Sequence, residues 1–175
     1  MVFSSSIASI GAGAVHNRCK PEHYNNTSEE ITMMSPANNY YKEIAQYCLN
    51  NRIAVDLFFA FSEKQMQLSS SNDIASIAPL AGLTGGDVIL YPKFDVYKHG
   101  EKLYYQIFRN LTRVVGTEVA IRARVSTGLS IQEYIGSFMR ATSQDYFVST
   151  IDCDKTISCL IKSDDKIAEG AQVHA

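Results

Sequence analysis

The sequence is poor in the features that most directly announce a function. No apolar run approaches the roughly 18 residues that a membrane-spanning helix needs, so this stretch is not expected to cross a bilayer. The formal net charge is −2, without the basic excess of a general nucleic-acid or membrane-surface binder, and a charged partner must therefore meet a local patch. The four cysteines, Cys19, Cys48, Cys153 and Cys159, contain no CxxC pair and no His/Cys cluster at zinc spacing, which suits reduced thiols in a cytosolic protein. The opening "MVFSSSIASIGAGAVHNR" has no basic segment ahead of its apolar residues and reads as chain interior rather than a signal peptide.

What is present is the composition of a globular protein: 46% of the 175 residues are hydrophobic and 19% are charged, enough for one ordinary domain or pieces of two. "MVFSSSIASI" has the β-branched and apolar content of a strand, and residues 11 to 30, polar and aperiodic, read as a long exposed loop. Ser35-Pro36 offers an N-cap and first-turn proline for a helix whose buried stripe is Tyr41, Ile44, Ala45, Cys48 and Leu49. The nearly continuous apolar run "RIAVDLFFAF", residues 52 to 61, predicts a strand covered on both faces. Asp73 is placed to cap a second helix through Ile74, Ile77, Ala78 and Ala81, which Pro79 should bend or shorten.

A strand over Val88 to Tyr91 follows, then a helix with the stripe Leu103, Tyr104, Ile107, Phe108 and Leu111, and with Lys102, Arg109 and Arg113 off that stripe. Alternating helices and strands imply a parallel sheet with helices on both faces. Beyond Gly116 the period shortens to two. Val119, Ile121, Ala123 and Val125 alternate with Glu118, Ala120, Arg122 and Arg124, and "TISCLIK" alternates in the same way. The expected fold is therefore an α/β region followed by antiparallel β structure.

Several stretches invite a chemical reading. Thr84-Gly85-Gly86 lacks the lysine and spacing of a phosphate-binding loop and reads as a turn that needs positive φ. "SSSIAS" lacks the aspartate that would complete a serine-based magnesium site. His16, His23, His99 and His174 are scattered, and Asp152, Asp154, Asp164 and Asp165 fall in or near turns, so no acid/base or nucleophilic constellation stands out. Arg122 and Arg124, two apart on one strand, share a face that Arg140 could approach; guanidiniums so arranged can grip carboxylates in bidentate fashion, or simply form a solvated face.

The order of motifs is itself informative. "HGEKLYYQIFRNLTR" followed by "GTEVAIRARVSTGLSIQEYIGSFMR", preceded by "LAGLTGGDVILYPKFD" and, near the start, by "VFSSSIASIGAGAVHNR" and "MMSPANNYYKEIAQYCLNNRIAVDLF", closely resembles the cargo-adaptor subunit of the inner COPII vesicle coat, the twenty-fourth member of the Sec family. The resemblance runs through nearly the whole chain. It implies that residues 1–115 are the C-terminal part of a von Willebrand A-like trunk domain and residues 116–175 part of a β-sandwich. It implies a non-enzymatic adaptor that is cytoplasmic and peripheral on endoplasmic reticulum exit-site membrane and COPII vesicles. Its implied partners are the sister inner-coat subunit, the cytosolic tails of cargo and SNARE proteins, and indirectly the coat small GTPase, with no nucleic acid among them.

No cofactor is implied in this span, because the family's zinc-finger module has no counterpart here. Tyr134, Phe138 and Arg140 match the family's "GNF" and arginine pattern and, with Arg122 and Arg124, are the residues that could form a cargo-facing edge. The absent trunk half, helical domain and gelsolin-like domain make the sequence resemble a fragment. Lost burial at about 25 cal/mol per Å² weighs heavily against a stability of roughly 5 to 15 kcal/mol, so the chain alone is expected to fold poorly or to associate through its open sheet edges. Two other readings compete: a stand-alone von Willebrand A-type metal-dependent ligand-binding domain, which the missing aspartate disfavours, and the sister GTPase-activating coat subunit, which the "RNLTR" and "EVAIRARVSTGL" pattern disfavours.

Overall fold

The computed structural model describes residues 1–16, 18, 28–64, 73–140 and 146–163. Its first half is a three-stranded parallel sheet in the order β1-β2-β3, made of Val2–Ser4, Leu57–Ala60 and Val88–Tyr91. Leu57, Phe58 and Phe59 are all buried, so the central strand is covered on both faces as its apolar run demands. On one face Leu57 and Phe59, continued by Phe61, pack with Tyr41, Ile77 and Ala81 from the helices. On the other, Phe58 stacks on Phe3 at 4.8 Å between ring centroids.

The helices are α1 (Ser28–Met33), which adds no residue to this core, and α2 (Tyr40–Asn50), α3 (Ile74–Ile77) and α4 (Pro79–Gly82), which pack on the first face. Tyr41, Ala45 and Cys48 form the buried side of α2. The helix begins at Tyr40 rather than at Ser35-Pro36, and Asn39 precedes it without a side-chain cap. Tertiary contacts explain the delay. Arg18 donates from Nη2 to the Ser35 carbonyl (2.8 Å), and the Ala37 N–H donates to Ser76 Oγ (2.8 Å), which holds residues 35–37 out of helical geometry. The exposed loop expected over residues 11–30 ends earlier, because α1 starts at Ser28; much of the remaining loop lies outside the described residues.

Asp73 caps α3 by accepting from the Ser76 N–H, and the same carboxylate takes two hydrogen bonds from Arg18, at 2.7 and 2.8 Å. Pro79 divides the expected second helix into two single turns and stands at the first position of α4. The second sheet face receives α5 (Val96–Thr112), which Asp95 caps through the N–H groups of Tyr97 and Lys98. There the Tyr91 hydroxyl bonds Gln106 Oε1, and Leu103 borders the same recess as Phe3, Phe58 and Ala60.

Helix α5 departs from expectation in one respect. Leu103 and Ile107 turn toward the body, but Tyr104, Phe108 and Leu111 of the same stripe face outward. Of the arginines expected on the wet side, Arg113 is drawn inward by carboxylates, whereas Arg109 pairs with Asp154 and stays exposed.

Antiparallel strands follow: β4 (Val115–Ile121), β5 (Leu129–Ile135), β6 (Met139–Arg140), β7 (Tyr146–Asp152) and β8 (Ser158–Ser163). They form a β4-β7-β6 sheet and a β5-β8 ribbon. The strand expected to continue through Val125 stops at Ile121, opposite Tyr146 at the start of its partner β7. Beyond it the Ala123 N–H leaves the ladder and donates to the Tyr134 hydroxyl (2.9 Å). Every residue of β8 is exposed, so the alternation in "TISCLIK" does not separate a wet face from a dry one.

Candidate functional site

Two places bring distant segments together: an ionic anchor and a groove. The anchor is built on the Thr84–Asp87 connector. Thr84 is fully buried; its hydroxyl donates toward the Leu80 carbonyl (2.9 Å) and accepts from the Val55 N–H (3.1 Å). Gly85 has φ +82°, the left-handed conformation expected of this turn, and a Cβ there would lie 2.2 Å from the Thr150 carbonyl oxygen. The turn thus seats directly against β7.

Asp87, just past it, accepts from Arg113 Nη2 (2.8 Å) and from Lys155. Arg113 also meets Asp152 at 3.0 Å and Asp154 at 3.5 Å, and Arg109 forks onto Asp154. Burial alone would raise the Asp87 pKa, but the hydrogen bonds from Lys155 and Arg113, with their charges, outweigh it and hold the carboxyl below its usual range. Asp154 is likewise lowered, first by the Arg109 hydrogen bond. Three carboxylates, two guanidiniums and one ammonium pair with one another here, Arg113 Nε alone among their buried atoms lacking a partner, and so tie α5 and the β3 entry to the end of β7.

The groove lies on another side and holds about 460 Å³. One wall is the α3–α4 corner with Ala78, Pro79 and Leu83; Met34 and Lys42 stand at its helical end, and the β5–β6 turn presents Phe138 opposite. Gly136 lets the Phe138 ring fold back over it, since a Cβ would sit 2.3 Å from that ring. The lining is mostly apolar, and Lys42 is the cationic residue on it.

The residues singled out in the sequence divide between these surroundings. Tyr134 and Phe138 meet around Tyr146, whose ring centroid lies 4.3 Å from the first and 4.9 Å from the second. Tyr134 also fixes the backbone between Arg122 and Arg124 through its hydroxyl. Both arginines are exposed, beyond the end of β4 rather than within a strand. Arg140 pairs with Tyr146 in the β6–β7 register, so the Tyr134 side chain and the Arg140 backbone meet at one residue; the Arg140 side chain is outside the described structure. Lys42, Met34, Leu83 and Tyr146 were not singled out, and no local pattern would have marked them, because the groove joins segments nearly a hundred residues apart.

Among the described residues no three His, Cys, Asp or Glu side chains are grouped to hold a metal ion, and no helix is long and apolar enough to cross a membrane. Cys48 is buried, while Cys153 and Cys159 are exposed free thiols. The N-terminal serines bond among themselves, Ser4 Oγ donating to the Ser6 carbonyl. Cys19, His23, Asp164, Asp165 and His174 lie outside the described residues.

The family model of the Sec23/Sec24 trunk domain matches residues 1–111. The chain belongs to this family. It is 33% identical over 175 residues to the protein transport protein SEC24 B of Arabidopsis thaliana, covering 98% of this chain and 15% of that relative. To human Sec24C it is 31% identical over 144 residues, covering 82% of this chain and 12% of the relative. The crystal structure of the human COPII-coat protein Sec24c superposes with a TM-score of 0.86 at 28% identity, over 98% of this chain and 22% of that one. The member therefore corresponds to the parallel sheet, its helices and the strands that follow, and spans only a small part of the length of these relatives.

Proposed function

We propose that this chain belongs to a COPII coat subunit that selects cargo for transport from the endoplasmic reticulum to the Golgi, acting by binding rather than by catalysis. What carries the reading is the likeness to Sec24 proteins and to the human Sec24c structure along 98% of the chain, strands beyond the trunk match included. In this reading the chain pairs, as part of its subunit, with the sister inner-coat subunit. The coat small GTPase is met indirectly, and the location is the cytoplasmic face of endoplasmic reticulum exit sites.

The signal-reading surface in this proposal is the groove beside Phe138, with Lys42, Arg122 and Arg124 supplying positive charge around the same part of the molecule. Its ligands are short cytosolic tails of cargo and SNARE proteins that offer one bulky apolar side chain and one or two carboxylates. An apolar trough with a few placed polar groups suits such a ligand, since burial supplies affinity and the cation fixes register. The test is fluorescence anisotropy with labelled tail peptides of that composition. Phe138→Ala and Lys42→Glu should each weaken binding at least tenfold, and Arg122→Glu or Arg124→Glu should weaken acidic tails selectively. Peptide binding that is indifferent to all four substitutions would remove the groove and the arginines from the function.

A further inference from the structure

The helical wall of the groove is built from pieces too short to hold themselves. Met34 and Pro36 stand just past α1, a helix of six residues with no basic side chain in its last turn, and Ala75 and Ala78 belong to α3, a helix of four, and its C-cap. Both helices fall far below the roughly 12 residues at which an isolated helix becomes marginally stable in water, so other contacts must fix their ends. One side chain from outside the groove lining supplies them. Arg18 Nη1 donates to the Thr32 carbonyl (3.3 Å) and Nη2 to the Ser35 carbonyl (2.8 Å), on either side of Met34 in sequence. Its Nε and Nη2 also fork onto Asp73, the N-cap of α3, at 2.7 and 2.8 Å. The Asp73 side chain is 6% exposed and Ser76 is fully buried; the Ser76 hydroxyl donates to Asp73 (2.8 Å) and accepts from the Ala37 N–H.

We propose that Arg18 is the positioning residue of this wall: one guanidinium sets where the segment carrying Met34 and Pro36 stands against α3, and with it the shape that a bound tail meets. The proposal rests on the reading of the groove as the tail-binding surface. Its physical basis is the planar fork. A guanidinium can satisfy a carboxylate with two parallel bonds and still offer N–H groups to carbonyls elsewhere, whereas a lysine ammonium is a point charge without that geometry. With Arg18 replaced, Asp73 keeps its Ser76 contacts and α3 its cap, but the carbonyls of Thr32 and Ser35 lose their tie to it. Ordering a loosened wall costs affinity when a ligand binds, which is how a residue without ligand contact changes recognition.

Two readouts separate positioning from folding. With Cys19, Cys153 and Cys159 replaced by serine, nitroxide labels at Met34→Cys and Ser137→Cys report the distance between two points of the groove lining by double electron–electron resonance. Arg18→Gln should at least double the width of that distance distribution while the chain keeps its circular dichroism, and Arg18→Lys, which retains the charge but not the fork, should broaden it as well. On the unlabelled chain, fluorescence anisotropy with a fluorescein-labelled heptapeptide carrying one phenylalanine and two aspartates should show binding at least fivefold weaker in both variants. The core variant Phe58→Leu, on the far face of the sheet, lowers stability without touching the clamp and should keep the parent's width and affinity. Widths indifferent to both Arg18 variants, or a peptide affinity that neither variant changes, would overturn the proposal. Broadened widths with a peptide that does not bind the parent would uphold the positioning role and remove the cargo reading instead.

Discussion

Replacing Arg113 by methionine tests whether the ionic anchor holds the two sheets together. Methionine keeps most of the aliphatic stem and removes the charge. The Arg113 side chain is 11% exposed and Asp152 5%, so the variant leaves a nearly dry carboxylate with the Asp154 N–H at 2.9 Å and Lys155 at 4.0 Å. Removing one member of a buried pair costs about 3 to 5 kcal/mol. Asp87 and Asp154 are each about a third exposed and can recover hydration, and Lys155 still serves Asp87, so the loss falls at or below the bottom of that range, at about 2 to 3 kcal/mol.

For a chain of this size that corresponds to roughly 5 to 10 °C in melting temperature. The assay is urea and thermal unfolding followed by circular dichroism for the parent, Arg113→Met, Asp152→Asn and the double variant. Because the asparagine no longer needs a cation, the double variant should be less damaged than the sum of its parts, by about 1 kcal/mol or more. A loss below about 0.5 kcal/mol in Arg113→Met, or strict additivity across the four proteins, would show that these charges are solvated ornaments of a contact held by something else.

Two further outcomes follow from the same geometry. Gly85→Ala should destabilise by more than about 2 kcal/mol, since it adds a Cβ both at positive φ and against the Thr150 carbonyl, whereas Gly11→Ala, also at positive φ but in open space, should cost only about 1 kcal/mol; equal losses in urea unfolding would remove the steric part of the reasoning. In acid, Asp87 and Asp73 have folded pKa values below their unfolded ones; burial opposes this at both, but the Lys155 and Arg113 hydrogen bonds at Asp87, and those of Arg18 and Ser76 at Asp73, prevail. Depressed carboxyls stabilise the fold above the unfolded pKa near 4 and lose that contribution as pH falls through the folded values, so the urea midpoint should be level from about pH 7 to 5 and drop below about pH 4. A midpoint that held steady to pH 3 would contradict the assignment.

The parts of this fold that were legible in the sequence are those set by local period. The Tyr41, Ala45 and Cys48 side of α2, the doubly covered Leu57–Phe59 segment, the break at Pro79 and the positive-φ turn at Gly85 all rest on properties of residues within a few positions of one another. The start of α2 was not legible, because Arg18 and Ser76, far away in sequence, decide it. Nor was the direction in which α5 faces. Its amphipathic pattern is plain, but the acidic residues that bury Arg113 and pair with the exposed Arg109 come from β7, the turn after it and the β3 entry, and the aromatic side of the helix is left outside. Phe138, which lines the groove, was singled out only through a resemblance, and Lys42 on the same lining not at all.

The connector and the groove are mechanically linked. Lys155 reaches both the Gly86 carbonyl and the Asp87 carboxylate, and its stem lines one small cavity with Phe138, Val148 and Thr150. Gly85 rests on the same β7 residues, Val148 and Thr150, from the other side. The antiparallel strands are thus seated on the parallel sheet through a tight turn and a charge cluster, with no strand shared between the two sheets. Phe138 touches this seat through the small cavity it shares with Val148, Thr150 and Lys155, and it also lines the groove. Residues 84–87 thus act structurally, as the seat on which β7 rests beside the cavity that Phe138 shares with Lys155.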